Sequence, residues 1–348
     1  MSDNKCKNCG GEIIFNPNTQ TLSCKYCGSS FTISAKNSAS TSNLRRDYHS
    51  SLSLQSNTQT SKTYSCSSCG TKSVINIDQS MTRCASCGNI SLKEIHSQTM
   101  HPDGLIPFSV SRPQAEQIFK TWIKSRKFAP NDLILMAKRG KLTGLYTPVY
   151  NFDYTEHISY SAIGIKTTKN ADGYERKSRH PVFKEKTNEV NDNTISANSR
   201  IGDGFITGLG DYDFAKLKPF STSYLLGFAG IDTNIDVHTA CSNMVTEVRN
   251  RNRMKAKSNL NFEYDDVENF NCTTNISNIT LNYAYLPIWA NHYTYNGKEY
   301  HCYINGQTGK ATGKAPKSFA KIFGLIAGIL AGVAVGTGLF ISLILKLF

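Results

Sequence analysis

The longest apolar run of the chain lies at its C-terminal end. Ile322–Leu345 contains 24 residues without a charge, and only Thr337 and Ser342 among them are polar. A helix of that length would measure about 36 Å, whereas the hydrocarbon core of a bilayer is about 30 Å thick. The pattern therefore predicts a transmembrane helix over residues 322–345.

Glycines and lysines predict how such a helix would be used. A small residue at every fourth position gives a smooth face on which another membrane helix can pack, including that of a second copy. The glycines in this register are Gly324, Gly328, Gly332 and Gly336. The lysines Lys310, Lys314, Lys317 and Lys321 precede the run, and only Lys346 follows it. Because positive charge stays on the cytoplasmic side, we expect a single-pass protein of the cell membrane with a C-terminal anchor and residues 1–320 in the cytoplasm.

Helical periodicity appears in three places upstream. Ser111 and Pro113 are typical of a helix start, and apolar residues follow at helical spacing up to Ile123. Asn131 begins a second, short helix that stops before Gly140. Residues 235–257 carry the longest soluble helical pattern, with cationic side chains gathered near its C-terminal end.

Strand-like alternation fills most of the remaining sequence. Residues 146–154, 158–165 and 275–295 alternate and are rich in aromatic side chains, and residues 166–200 predict strands and loops. Asn296-Gly297 is the strongest hairpin signal in the chain. Together these patterns predict an α+β globular domain with an antiparallel sheet over residues 104–315.

Eight of the eleven cysteines lie at the N-terminus in a repeated pattern. Each repeat has two CxxC pairs separated by fourteen residues, and a glycine follows every pair. Two such pairs joined by a hairpin present four thiolates to one metal ion, which is typical of a zinc ribbon. The predicted ligands are Cys6, Cys9, Cys24 and Cys27 in residues 1–33, and Cys66, Cys69, Cys84 and Cys87 in residues 64–96.

The cysteine pattern predicts two structural zinc ions. A site with four cysteine ligands has no open position, so the metal stabilises the fold and does not catalyse a reaction. Disulfides are disfavoured because thiols on the predicted cytoplasmic side remain reduced. Residues 34–63, between the two modules, are rich in Ser, Thr and Asn and predict a flexible linker, in which Arg45 and Arg46 are interpreted as solvated charge.

The net charge of +13 favours an acidic partner, either nucleic acid or an anionic lipid surface. Catalytic motifs do not emerge from the sequence. Residues 304–310 look like a phosphate-binding loop, but Gly306 and Gly309 are too close together and Ala311 follows Lys310. Cys241, Cys272 and Cys302 are interpreted as buried small residues, and a Cys302 nucleophile beside His301 or His292 remains a minor alternative.

The order of the motifs resembles a known family. After the cysteine modules come GLYTPVY at residues 144–150, LPIW at 286–289, INGQTGK at 304–310 and the apolar run. The order is similar to that of bacterial membrane-anchored tandem zinc-ribbon proteins, often labelled TFIIB-type zinc ribbon, primosomal, helicase-like or phage-replication proteins. This resemblance implies no established catalysis, and it implies SPFH-domain or phage-shock-type proteins as partners.

Two functions therefore compete. The first is a non-enzymatic membrane-anchored adaptor whose ribbons bind a partner protein and hold it at the membrane, in envelope stress or membrane organisation. The alternative is a nucleic-acid-binding protein, related to replication or transcription, that is tethered to the membrane. The ribbons carry few cations, mainly Lys5, Lys7 and Lys25 in the first and Lys72 and Arg83 in the second, which favours the adaptor.

Overall fold

Three long strands organise the main domain. The computed structural model describes residues 5–33, 44–48, 58–75, 84, 89–100, 102–133 and 141–328. The strands are β1 (Ile13–Asn16), β2 (Thr21–Cys24), β3 (Ser30–Phe31), β4 (Arg46–Asp47), β5 (Thr58–Cys66), β6 (Lys72–Val74), β7 (Leu92–Met100), β8 (Gly104–Leu105), β9 (Lys141–Lys169), β10 (Glu175–Ser196), β11 (Lys218–Pro219), β12 (Ala229–Ile231), β13 (Asp266–Tyr295), β14 (Lys298–Asn305) and β15 (Ala311–Gly313). The helices are α1 (Arg112–Lys124), α2 (Asp203–Leu209) and α3 (Val237–Glu263).

Strand β9 is the centre of the main sheet. It pairs antiparallel with β10 along one edge and with β13 along the other, and β13 continues through a tight turn into β14. At the end of the sheet nearest the ribbons, aromatic side chains from these strands form the core, among them the fully buried Tyr146, Tyr150 and Tyr285. Helix α1 covers this core with Phe119 and Trp122.

The same three strands extend beyond the core as an arm, which we define as residues 155–190 and 249–277. Even-numbered residues of β9 and β10 face α3, where Ala162 and Val182 pack against Leu260. Glu156 is buried at the base of the arm and accepts hydrogen bonds from Asn188 and Asn252. The helix is thereby fixed along one face of the arm.

Both cysteine modules are attached to the main domain. Strands β1, β2 and β3 form a separate small sheet, and the backbone N–H of Phe15 donates to the carbonyl of Leu226 at 2.9 Å. The second module joins the main sheet directly, because β6 pairs with β12. The expectation of two ribbons on free tethers is not met by this arrangement.

The segment between the modules also contacts the main domain. Of the predicted linker 34–63, residues 44–48 and 58–63 are described. Strand β4 pairs with β13, Arg45 forms ion pairs with Asp153 and Asp192, and Arg46 forms one with Asp103. These contacts fix the middle of the linker, because the two arginines bind carboxylates that lie far away in sequence.

The predicted soluble helices and the hairpin are found where the structure describes them. Helix α1 starts after Ser111 in a capping box with Gln114, and α3 covers most of the predicted 235–257 segment. Asn296 and Gly297 both have positive φ, as the predicted turn requires. Of the second short helix, residues 134–139 lie outside the described residues.

The prediction of a C-terminal transmembrane helix has to be corrected. In the part of the chain that the structure describes, every helix is too short or too polar to cross a bilayer. The described portion of the predicted span is helical and ends at Gly328, and residues 329–345, with Gly332 and Gly336, lie outside it. The fold class becomes an N-terminal zinc ribbon with a mostly β main domain, without support for the single-pass anchor or the membrane localisation inferred from it.

Candidate metal centres

The first cysteine cluster has the geometry of a metal site. The sulfurs of Cys6, Cys9, Cys24 and Cys27 all lie within 4.8 Å of one another. The Cys6–Cys27 and Cys9–Cys24 sulfur pairs are each 3.5 Å apart. Zinc–sulfur bonds of about 2.3 Å in a tetrahedron place the sulfurs about 3.8 Å apart, so the four thiols fit a zinc ion.

Glycines shape the turns that carry these cysteines. The N–H of Gly10 donates to the Cys6 carbonyl at 2.8 Å, and the N–H of Gly28 donates to the Cys24 carbonyl at 3.2 Å. Both glycines have positive φ, at +72° and +73°. This left-handed conformation turns the backbone beneath the cysteine pair, and it strains any residue with a Cβ.

Hydrogen bonds prepare two of the sulfurs to act as thiolates. The hydroxyl and backbone N–H of Ser29 lower the pKa of Cys27 to about 6. Backbone N–H groups of Cys27 and Tyr26 lower the pKa of Cys24. The Gly11 N–H acts in the same direction on Cys9, but hydrogen bonds to the Cys27 and Cys24 sulfurs outweigh it and raise the pKa of Cys9 to about 12. A divalent cation replaces that remaining proton and lets all four sulfurs ionise.

The second cluster repeats the arrangement with three described cysteines. The sulfurs of Cys66, Cys69 and Cys84 lie within 4.8 Å of one another, and those of Cys69 and Cys84 are 3.6 Å apart. Gly70 has φ +71° and donates to the Cys66 carbonyl, as Gly10 does in the first cluster. The fourth predicted ligand, Cys87, lies outside the described residues.

An arginine of the main domain supports the second cluster. The guanidinium of Arg200 donates to the carbonyl of Cys69, within the turn that presents the ligands. The backbone N–H of Asp232 donates to the carbonyl of Lys72 on the same module. Sequence reasoning missed both contacts, because Arg200 lies 131 residues from Cys69 and Asp232 lies farther still along the chain.

The first module has one buried and one exposed side. Ile13, Phe15 and Leu22 belong to the same apolar core as the main domain, and the Phe15 ring lies 5.2 Å from that of Tyr224. On the other side, Cys9 and Cys27 are exposed. The Tyr26 side chain is 77% exposed beside them and lies over the Gly11 backbone.

The other candidate residues of the sequence have structural settings. Cys302 is fully buried, and its burial raises the pKa of the thiol, which makes it unsuited to act as a nucleophile. His292 and His301 are hydrogen-bonded to each other through their Nδ1 atoms at 2.6 Å. Asn305 and Gly306 fix the INGQTGK segment as a turn: Asn305 accepts from two N–H groups within it, and Gly306 hydrogen-bonds the main domain.

The fold and the cysteine clusters define a zinc-ribbon protein with a mostly β main domain. Residues 1–33 match a family model described as a zinc ribbon domain. Over 323 residues the chain is 25% identical to a protein of Bacillus subtilis (strain 168) named Uncharacterized protein YdjG, with 88% of each chain covered. No solved structure matches the chain significantly.

These comparisons confirm part of the resemblance drawn from the sequence. The zinc ribbon at the N-terminus and zinc as its metal are supported by both the family match and the cysteine geometry. The membrane-anchored family and its labels find no support in the comparisons, since the family match ends at residue 33.

Proposed function

We propose that this protein is a non-enzymatic adaptor in which structural zinc sites hold a ribbon surface that binds a protein partner. The observation that carries the proposal is the two-sided ribbon at residues 5–33. Its inner side is packed into the main core through Phe15, and its outer side presents Tyr26 next to the metal site. A large aromatic side chain held exposed on a rigid turn is a typical anchor of a protein interface.

The chemistry of the described residues supports a binding role. Four-thiolate sites leave no position for a substrate on the metal. Asp213 caps the short helical turn that follows it and forms an ion pair with Lys216, so its carboxylate has a structural partner. The buried thiol of Cys302 and the mutually bonded His292 and His301 have structural explanations as well.

A protein partner fits the outer side of the ribbon better than nucleic acid does. Lys25 is paired with Glu12 at 2.8 Å, which leaves Lys5 and Lys7 as the remaining cations of the described ribbon. Two cations neutralise too few phosphates for tight binding at physiological salt. Sequence resemblance suggests SPFH-domain or phage-shock-type proteins as the first partners to test.

Affinity purification of the full chain from its native cells tests this proposal. We expect Tyr26→Ala to lose the partner while the protein remains folded and keeps its zinc. The matched control is Tyr174→Ala, because Tyr174 is similarly exposed, at 74%, but lies at the tip of the arm. Unchanged recovery of the partner by Tyr26→Ala would contradict the proposal, as would equal losses in the two variants.

Nucleic-acid binding is the second candidate function. Tyr26 offers a ring for base stacking, and the net charge of the chain is +13. A fluorescence-anisotropy titration with single-stranded DNA and RNA at several salt concentrations separates the two functions. Salt-dependent binding that is lost in Tyr26→Ala would favour this candidate over the adaptor.

A further inference from the structure

The outer face of α3 carries large apolar side chains that the fold does not bury. Phe262 is 95% exposed and Met254 is 68% exposed, although α3 buries Leu260 and Ala256 on its opposite face. Met254 and Phe262 are eight residues apart, which on a helix is about 12 Å and places them on neighbouring ridges of one side.

Two lysines flank these apolar side chains. On β10, Lys184 is paired with Glu263 at 3.3 Å, and Asn188 shares a buried carboxylate with Asn252 of the helix. Lys186 lies between them on the same face of the strand, and is therefore level with the middle of α3. Lys255 is exposed on the helix itself. Among the described residues, neither Lys186 nor Lys255 forms an ion pair.

We infer that these residues form a docking surface for an acidic amphipathic helix of a partner protein. The surface consists of Met254, Lys255, Phe262 and Lys186, and we call it the α3 patch. Apolar side chains of the incoming helix would cover Phe262 and Met254, and its carboxylates would pair with the two lysines. The inference rests on the proposed adaptor function and extends it, because the α3 patch is separate from the ribbon surface around Tyr26.

The occupant is assigned from spacing and charge. Apolar side chains about 12 Å apart on one helix match side chains two turns apart on a second helix that packs along it. The lysines require negative charge on the flanks of that helix. The strand edges of the arm suit the addition of another strand poorly, because Pro181 within β10 has no N–H to donate and the register of β13 shifts between Glu268 and Asn271.

Fluorescence anisotropy with synthetic probes tests the inference on the full zinc-loaded chain. One probe is a labelled peptide of about three heptads with a leucine stripe and Glu on its flanks. A second peptide has Lys at every Glu position, and the third probe is single-stranded DNA of about 20 nucleotides. We expect the Glu peptide to bind at least about tenfold more tightly than the Lys peptide.

Variants locate the binding and reverse its preference. Phe262→Ser should weaken the Glu peptide at least about tenfold, whereas Phe183→Ser, on the opposite face of the arm and 67% exposed, should leave it within about twofold. Lys186→Glu combined with Lys255→Glu should remove binding of the Glu peptide and create binding of the Lys peptide.

Three outcomes would overturn the inference. They are equal binding of the two peptides, unchanged binding in Phe262→Ser, and DNA binding through the same residues as tight as that of the Glu peptide. The ribbon proposal has its own readout: partner recovery that depends on Tyr26 but not on Phe262 or the two lysines would overturn the α3 patch and leave the adaptor function intact.

Discussion

The turns around the metal depend on residues chosen for their backbone and not for their side chains. A Cβ added at Gly10 would meet nothing within 4 Å, yet its φ of +72° is strained for any other residue. We therefore predict that Gly10→Ala destabilises the protein by about 1–2 kcal/mol. Zinc affinity should fall with it, as measured by competition with a chromogenic chelator.

Gly204→Ala is the matched control for this prediction. Gly204 also has open space around its Cβ position, but it lies in α2 without a positive φ. Alanine is the better helix former, so this variant should be neutral or slightly stabilising. Equal losses in the two variants would mean that conformational strain at Gly10 is not what the turn requires.

A second residue-scale prediction concerns the carboxylate at the base of the arm. Glu156 is 5% exposed, accepts from Asn188 and Asn252 at 2.8 Å each, and lies 3.6 Å from Arg251. Glu156→Leu should cost about 3–5 kcal/mol in urea denaturation, because it leaves buried amide and guanidinium groups unsatisfied.

An exposed carboxylate on the same arm serves as the control for Glu156→Leu. Glu185 lies on the face away from α3 and is exposed, so Glu185→Leu should change the unfolding free energy by less than about 0.5 kcal/mol. A loss below about 1 kcal/mol in Glu156→Leu would show that the polar cluster does not hold α3 to the strands.

At this scale the sequence predicts the metal sites well and their supports poorly. CxxC spacing is local, so the cysteines and the glycines that follow them can be recognised without knowing the fold. Arg200 and Arg46 contact groups far away along the chain, and nothing near them in sequence marks those partners. The interpretation of Arg45 and Arg46 as solvated charge is wrong for the same reason, because both form ion pairs with the main domain.

Among the elements, the first ribbon is joined to the main domain chiefly by one side chain. Phe15 is 1% exposed and contacts the rings of Tyr224 and Phe228. Phe15→Ala should cost about 3–5 kcal/mol and release the ribbon from the core while its zinc remains bound. Urea denaturation together with zinc stoichiometry measures both effects.

A surface phenylalanine provides the comparison for Phe15→Ala. Phe183→Ala removes the same atoms from a side chain that is 67% exposed and should change stability by less than about 0.5 kcal/mol. The ribbon would prove to be an independent unit if Phe15→Ala cost no more than this control.

Strand lengths are harder to predict than strand positions. The alternation predicts two separate strands at residues 146–154 and 158–165, but β9 runs without interruption from Lys141 to Lys169. Glu156 disturbs the alternation in between, because it is a polar residue at a position that faces α3. The arm requires partners from β10 and β13, and pairing at such sequence distance leaves no local signal.

For the whole molecule, the attachment of both modules predicts that zinc stabilises the main domain as well as the ribbons. Ile13, Phe15 and Leu22 of the first ribbon belong to the main core, and β6 of the second pairs with β12. Removing the metal should unfold the ribbons, since modules of this size lack a core of their own. The main domain then loses the contacts that the ribbons provide.

The two tryptophans make this prediction measurable. Trp122 and Trp289 are both buried in the main domain, so their fluorescence reports that domain and not the ribbons. After the release of two zinc ions by a chelator, we expect the urea midpoint of tryptophan fluorescence to fall, and readdition of zinc should restore it. In Cys272→Ser, which lies outside both clusters, the zinc content and midpoint should match those of the unaltered protein. An unchanged midpoint after zinc release would instead show that the ribbons fold separately from the sheet they contact.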